Sequence, residues 1–297
     1  MGRNLSRTEG SGCASYEQHG ISAKMIIFSI FVKNLDMWDK LKILREQYIN
    51  QRIMDSIDYE KFCMISIVYN SSKIEGCSLT ETDTKVLLEN NITAQGKPLT
   101  DHLMVKDHYH GFLKIKEDSK NKRKLSIDFI KEINACVMKS TGGLISTISG
   151  NFDTSKGDLR LAQVYVDKKY FPDFSKVPGL LQKLVVAVND RIDLVQGDDI
   201  IKLAADIHYN FVNIHPFGDG NGRTSRLLMN YIQLYHGEPL IKIFTEDRAE
   251  YIDSLNETEE KKNPGIFRDF ICRQQIKFYE VELNKYKKSK SGFSLLF

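Results

Sequence analysis

Two apolar helical patterns are separated by a dozen polar residues: His215-Pro216-Phe217-Gly218-Asp219-Gly220-Asn221-Gly222-Arg223-Thr224-Ser225-Arg226. Upstream, Ile200, Leu203, Ile207, Phe211 and Ile214 recur at three- and four-residue steps, the stripe of a buried helix. Downstream, Leu227, Leu228, Tyr231 and Leu234 resume that pattern until Gly237. Pro216 stops the first helix. A polar loop is thus forced between two core helices, and its composition suits a ligand better than a core. Gly220-Asn221-Gly222 allows left-handed backbone angles, so successive N–H groups can converge on an anion. Arg223 is expected to begin the next helix, whose free N–H groups and positive dipole end face the same place. Arg223 and Arg226 offer fork-shaped donors matched to phosphate. Asp219 is a hard oxygen ligand suited to Mg²⁺, and His215 is a base of near-neutral pKa. Read alone, the loop specifies a polyphosphate, a metal and a base, and leaves the reaction open.

The rest of the chain narrows the setting. It has 297 residues, 41% hydrophobic and 27% charged, the profile of an ordinary globular protein. A net charge of +3 gives no argument for nucleic-acid binding by bulk electrostatics. Cys13, Cys63, Cys77, Cys136 and Cys272 are odd in number and lack C-x-x-C spacing. Reduced thiols in the cytoplasm are the simpler reading, ahead of a zinc site or disulfide framework. The apolar run Met25–Val32 is too short to span a bilayer, and no small-residue cleavage site follows it. Neither a membrane span nor a signal peptide is therefore expected. Met1-Gly2-Arg3-Asn4-Leu5-Ser6 fits the loose myristoylation pattern, which arises often by chance. Residues 1–24 are Gly/Ser-rich and polar, expected to be disordered or an extension upstream of a start at Met25.

Helical periodicity dominates elsewhere. Helices are expected over 34–58, with Asn34 as cap, and over 59–75, ended by Gly76. Others are expected at about 80–90, 101–115, 127–138, from Pro178, from Asp198 or Asp199 to Ile214, and over 224–235, 245–256 and 264–280. Lys114–Lys124 reads as a solvated loop and Lys285–Lys290 as a solvated tail. The apolar end Phe293–Phe297 is expected to dock on the body. Gly142-Gly143 closes the 127–138 helix, and the one stretch of strand material is a hairpin around Val164-Tyr165-Val166. His208, two turns before the loop, reads as a structural histidine. Glu75 is out of place, since a carboxylate in the last turn faces the negative end of the helix dipole. Ser71, four residues earlier, falls on the same face and could hold it, and a nearby arginine would offset it. On local chemistry alone, a solvated helix end is the favoured reading of Glu75.

The loop resembles the active-site motif of the Fic family, H-x-F-x-(D/E)-G-N-G-R-x-x-R, at every fixed position from His215 to Arg226. The resemblance extends over roughly residues 95–240 and implies a mainly α, Fic-like helical bundle with one small β-hairpin, the flap, beside the active-site loop. Ser71-Ser72-Lys73-Ile74-Glu75-Gly76 resembles the family's inhibitory motif (S/T)-x-x-x-E-(G/N), placed before the core as in the class II arrangement. That placement reverses the bland reading of Glu75.

What the resemblance implies is adenylyl transfer from Mg-ATP to a Ser, Thr or Tyr hydroxyl of a protein. His215 would be the base and Asp219 the Mg²⁺ ligand. Gly218, Gly220, Asn221 and Gly222 would cradle the nucleotide, with Asn221 on the α-phosphate, Arg223 on the β-phosphate and Arg226 on the γ-phosphate. Phe217 would fix the loop from the core. The flap, including Arg160, Leu161, Val164, Tyr165 and Val166, would align the target by main-chain pairing, and Gly157-x-x-Arg160 also fits the family pattern. Ser71, Glu75 and Gly76 would form the inhibitory element, with Glu75 taking the γ-phosphate's place on Arg226. Glycine at 220, where a Doc-like branch carries lysine, favours adenylyl over phosphoryl transfer. Self-modification and a homodimer are both compatible with this scheme. The domains expected are 1–24, an extension; 25–94, a helical region carrying the inhibitory helix; 95–240, the Fic core; and 241–297, helices packed on it. Competing readings are a deAMPylase in which Glu75 positions water, a non-catalytic nucleotide-binding regulator, and a metal-dependent hydrolase, for which one His and one Asp are too few ligands.

Overall fold

The computed structural model describes residues 35–55, 58–166 and 169–293. Ten α-helices occur among them: α1 Met37–Asn50, α2 Tyr59–Ile74, α3 Glu81–Asn90, α4 Leu99–Lys120, α5 Ile127–Met138, α6 Val177–Ile192, α7 Asp198–Ile214, α8 Asn221–His236, α9 Arg248–Lys261 and α10 Pro264–Phe293. Two antiparallel hairpins lie between α5 and α6. One pairs β1 Leu144–Thr147 with β2 Gly150–Asp153, and the other pairs β3 Tyr165–Val166 with β4 Lys169–Tyr170. The fold is a helical bundle with small hairpins on one side. No helix among the described residues is long and apolar enough to cross a membrane.

The core is built around α7, which packs most extensively on α8 and also meets α6 and α10. Leu203, Ala204, Ala205, Ile207 and Phe211 of α7 are fully enclosed. Each large apolar side chain buried this way contributes about 1.5–3 kcal/mol. α4 packs on α5 and α8, and α2 lies across α4. Local caps set the register of several helices. Asp36 accepts from the Trp38 N–H and Ser126 from the Phe129 N–H, while Thr80 and Asp83 form a reciprocal capping box. The outcome is that α7 and α8 present their facing ends, and the loop joining them, at one end of the bundle, with α2 brought alongside.

Several boundaries differ from those read in the sequence. The helix expected over 34–58 ends at Asn50, because Arg52 turns left-handed (φ 52°) and Ile53 is folded back into the core. Its cap is Asp36. Lys114–Lys120 belongs to α4, not to a loop. Lys114 pairs with Asp118 at 3.1 Å and Lys120 with Glu117 at 3.1 Å, so the mixed charges are helix-spaced. Helix α10 runs on past 280 because Leu283 is still buried, whereas α5 has the bounds expected of it, Ile127–Met138. Two hairpins stand where one was expected. β1–β2 escapes notice because Leu144 and Ile145 both face solvent, which erases the alternation of a half-buried strand. Cys63, Cys77, Cys136 and Cys272 are free thiols. The expectations for residues 1–24, Met25–Val32, the Asn34 cap, Cys13 and the apolar end at 294–297 lie outside the described residues.

Candidate active site

The loop between α7 and α8 is held by backbone contacts from several directions. His215 terminates α7 in a left-handed conformation (φ 49°, ψ 60°), its N–H still donating to the Phe211 carbonyl at 3.0 Å. Phe217 points into the core, fully buried, with its ring centroid 6.1 Å from that of Phe211. The Asn221 side chain accepts from the Phe217 N–H at 3.1 Å and donates to its carbonyl at 2.9 Å. That side chain is therefore spent on shaping the loop, which leaves the residue's backbone N–H to face a ligand. Gly220 adopts φ 76° and serves as the N-cap of α8, which starts at Asn221 rather than at Arg223. Gly218 and Gly222 keep negative φ and answer to proximity instead. A Cβ on Gly218 would stand 2.9 Å from the Phe152 ring, and one on Gly222 would collide with Oε1 of Glu75. Asn134 of α5 donates to the Asp219 carbonyl and to the Thr224 hydroxyl, both at 3.1 Å.

The loop's chemical groups fall into two sets. On the open side, the Asp219 side chain is 68% exposed, with Oδ1 3.6 Å from Nη2 of the buried Arg223. The half-buried His215 ring stacks on Phe171 at 4.0 Å and 27°. Burial lowers the His215 pKa to about 4, and the Val212 carbonyl opposes this without reaching hydrogen-bond geometry with Nδ1. The imidazole is therefore neutral at pH 7 and able to accept a proton. Arg223 aims Nη1 at the Val137 carbonyl at 3.4 Å and Nη2 at the Met138 sulfur at 3.3 Å, both weak contacts that a phosphate could outcompete.

On the other side, α2 delivers Glu75 to α8. Glu75 Oε1 accepts from Arg226 Nη2 at 2.5 Å, with Arg226 buried and the Glu75 side chain one-third exposed. Burial pushes the Glu75 carboxyl up. Arg226, with smaller help from Arg223 and Arg248, more than offsets this and holds it below the usual carboxylate range. The pairing of Glu75 with Arg226 is the one the family resemblance implied, in place of the solvated helix end that local chemistry favours. Ser71 does not hold Glu75. Its hydroxyl accepts from Arg226 Nε at 2.7 Å and its carbonyl from Nη2 at 3.1 Å, fixing the arginine instead. Gly76, at φ 94°, turns the chain out of α2, and the Ile74 carbonyl accepts from Arg248 Nε at 2.9 Å. His208 lies fully buried, 3.2 Å from the Ser225 hydroxyl and 3.0 Å from that of Tyr251. His108 of α4 sits 3.5 Å from the hydroxyls of both Ser71 and Ser72. Burial first, then Arg226, holds both imidazoles well below the ordinary range.

The second hairpin borders His215. Leu161 and Val164 are half-buried, while Tyr165 and Tyr170 are exposed with rings 5.9 Å apart. The Val166 side chain lies outside the described set, and its backbone pairs with Lys169. Arg160 does not face outward as a docking residue would. It is 1% exposed and donates to the carbonyls of His215, Ala162 and Pro172. Sequence reading missed His108, Asn134, Phe171 and Arg248. Asn134 carries a usable signal, a polar residue on the inward stripe of Ile130, Ile133 and Val137. The others have none, because their partners are distant in the chain.

The sequence profile of the Fic/DOC family matches residues 124–233. The chain is 35% identical over 233 residues to protein adenylyltransferase fic-1 of Caenorhabditis briggsae, covering 76% of this chain and 42% of that protein. It spans about 40–53% of the length of the curated relatives it matches first. Among solved structures, a Fic domain containing signaling protein from Bacteroides thetaiotaomicron superposes with TM-score 0.67 at 25% identity, over 85% of this chain and 94% of that one. Residues 134–508 of Fic-1 from Caenorhabditis elegans superpose with TM-score 0.66 at 25% identity, over 93% and 79%.

Proposed function

The chain belongs to the Fic/DOC family, and from that premise we propose that it is a protein adenylyltransferase held in check by its own Glu75. The observation that carries the reading is the position of one carboxylate oxygen. Glu75 Oε1 lies over Gly222 in the first turn of α8 and 2.5 Å from Arg226 Nη2, where an anion would gain from both the helix N-terminus and the guanidinium. A carboxylate there stands in for a phosphate.

In this reading His215 accepts the proton of a Ser, Thr or Tyr hydroxyl as that oxygen attacks the α-phosphate of ATP. AMP is transferred and pyrophosphate leaves. The ring is suited to this, being neutral and fixed against Phe171. The backbone N–H groups at Gly220, Asn221 and Gly222 take the phosphates, together with Arg223 and Arg226. Mg²⁺ fits Asp219, a single exposed carboxylate beside the phosphate cradle. Among the described residues no cluster of three His, Cys, Asp or Glu could hold a metal, so phosphate oxygens and water would complete the shell. When bound, the ion neutralises phosphate charge. The hairpin β3–β4 supports the target's main chain beside His215. In domain terms, 95–240 carries the reaction, the helices within 25–94 supply the inhibitor, and 241–297 supports both.

One feature favours a second reading. The ion pair with Arg226 uses Oε1, and the Glu75 side chain is one-third exposed. Its other oxygen could hold a water for hydrolysis of an AMP–protein bond, the reverse reaction. Intact-mass analysis decides between them. The Glu75→Gly protein is incubated with Mg²⁺ and ATP, GTP, CTP or UTP, and wild type is offered an AMP-modified substrate. Gain of AMP by the variant with ATP supports transfer. No gain with any nucleotide, alongside AMP removal by wild type, overturns it in favour of the reverse reaction.

A further inference from the structure

Arg160 is the largest fully buried side chain of the described residues, and the one carboxylate that acts on it, Asp173, does so from beyond ion-pair distance. Burying a guanidinium without a close counter-ion is costly unless its nitrogens find acceptors. Each of its three nitrogens donates to a backbone carbonyl. Nε donates to His215 at 2.7 Å, Nη1 to Ala162 at 2.7 Å and Nη2 to Pro172 at 2.5 Å. The Arg160 N–H adds a fourth bond, to the Pro216 carbonyl at 3.0 Å. Ala162 lies at the start of the segment carrying β3–β4, Pro172 at its end, and His215 at the end of α7. One planar fork therefore closes the base of the hairpin and pins it to the residue that presents the imidazole. Phe171, next to Pro172, stacks on the His215 ring at 4.0 Å, a second contact across the same joint. His215 needs such support, since a non-glycine residue at φ 49° occupies a sparsely populated region.

We infer that Arg160 is a positioning residue that makes the hairpin and His215 one rigid unit, so that a hydroxyl paired to the hairpin meets the imidazole at a fixed distance. The inference rests on the adenylyl-transfer reading for its function, while the coupling itself is mechanical. Lysine keeps the charge but not the fork, and cannot reach three divergent carbonyls at once. A misplacement of about 1 Å at a reacting centre can cost on the order of 100-fold in rate.

The mutation-free test is native-state hydrogen exchange of the full chain at rising, sub-denaturing denaturant. The Phe171 N–H, bonded to Val164, reports on the hairpin, and the Arg160 N–H, bonded to Pro216, reports on the loop. The two are expected to merge into one opening event with a common denaturant dependence. Separate events overturn the coupling. In the Glu75→Gly background, Arg160→Lys is expected to speed exchange about tenfold in both 161–172 and 215–220 while leaving α4 and α10 unchanged. It should also lower the kcat of self-labelling by roughly 100-fold with the Mg-ATP Kd within about twofold of its parent. Faster exchange in the hairpin alone, or a loss of ATP affinity matching the loss of kcat, overturns the assignment. If Glu75→Gly itself fails to label, the transfer reading fails, and the exchange data still decide whether Arg160 joins the two segments.

Discussion

Arg226 is shared between a residue of α2 and the cap that ends it: Ser71 takes its Nε and Glu75 its Nη2, at 2.7 and 2.5 Å. The arginine is thus oriented by the serine and neutralised by the glutamate. Replacing Glu75 by glycine leaves Arg226 oriented but unpaired, open to a phosphate. Self-labelling with ATP is expected to rise about tenfold or more. The one-third exposure of the glutamate side chain argues against the full several kcal/mol of a buried pair. Equal labelling of wild type and variant would remove the inhibitory role.

His215→Ala is expected to lower transfer by roughly 100- to 10,000-fold, the usual range for a positioned general base. The Kd for Mg-ATP should stay near that of the parent, because His215 faces Phe171 rather than the helix N-terminus. The measurement is a labelling time course beside a binding titration, both in the Glu75→Gly background. Undiminished labelling would exclude His215 as the base.

The pH dependence has a definite sign. His215 titrates near pH 4 in the fold against 6.5 when free. Initial rates should therefore stay flat from pH 8 to about 5 and fall only on approach to 4. Stability moves differently. His215, His108 and His208 all bind protons more weakly folded than unfolded. As pH drops below 6.5 the unfolded chain takes up more protons, so stability is lost through that window and is fully present above it. A Tm that is the same at pH 5.5 and 7.5 would contradict this assignment.

Gly222→Ala offers a test of the packing between α2 and α8. The added Cβ would collide with Glu75 Oε1, and overpacking of this kind costs about 1–3 kcal/mol. In the Glu75→Gly background the carboxylate is gone and the nearest remaining atom is Arg226 Nη1, 3.2 Å from the added Cβ, while Ala exceeds Gly in a helix by about 1 kcal/mol. The substitution should thus be clearly less destabilising in the Glu75→Gly background than in wild type, read as a smaller drop in Tm. Additive effects would show that the two residues do not touch.

How much of this was legible in the sequence follows from the range of each interaction. The α7–loop–α8 unit was readable because proline, glycine and apolar spacing act locally. The structural reading of His208 followed from its place on the same pattern, while the inward position of Phe217 was implied by the family resemblance. Glu75 was visible as an anomaly of helix polarity, although its partner lies 151 residues away and no local rule names it. Ser71 was assigned to the wrong neighbour because i,i+4 spacing says which residues share a face and is silent on what packs against that face. Arg160 was assigned to the target-docking flap with no sign of its burial, for a similar reason. Its three acceptors are backbone carbonyls, and a carbonyl leaves no trace in composition. His108 and Arg248 belong to helices whose own patterns look ordinary, and become informative only once α2 is set down beside them.

The contact between α2 and α8 is made within a single chain. In the autoinhibited reading proposed above, a carboxylate carried this way would compete with a nucleotide at a fixed effective concentration, set by geometry and untouched by dilution. Lowering the protein concentration will not free Arg226, and raising the nucleotide concentration contends with an opponent that never diffuses away. On that reading, relief would come from a force on α2 itself. The Ile74 carbonyl held by Arg248 and the Asn70 side chain held by the Thr245 N–H are the places where such a force would be felt.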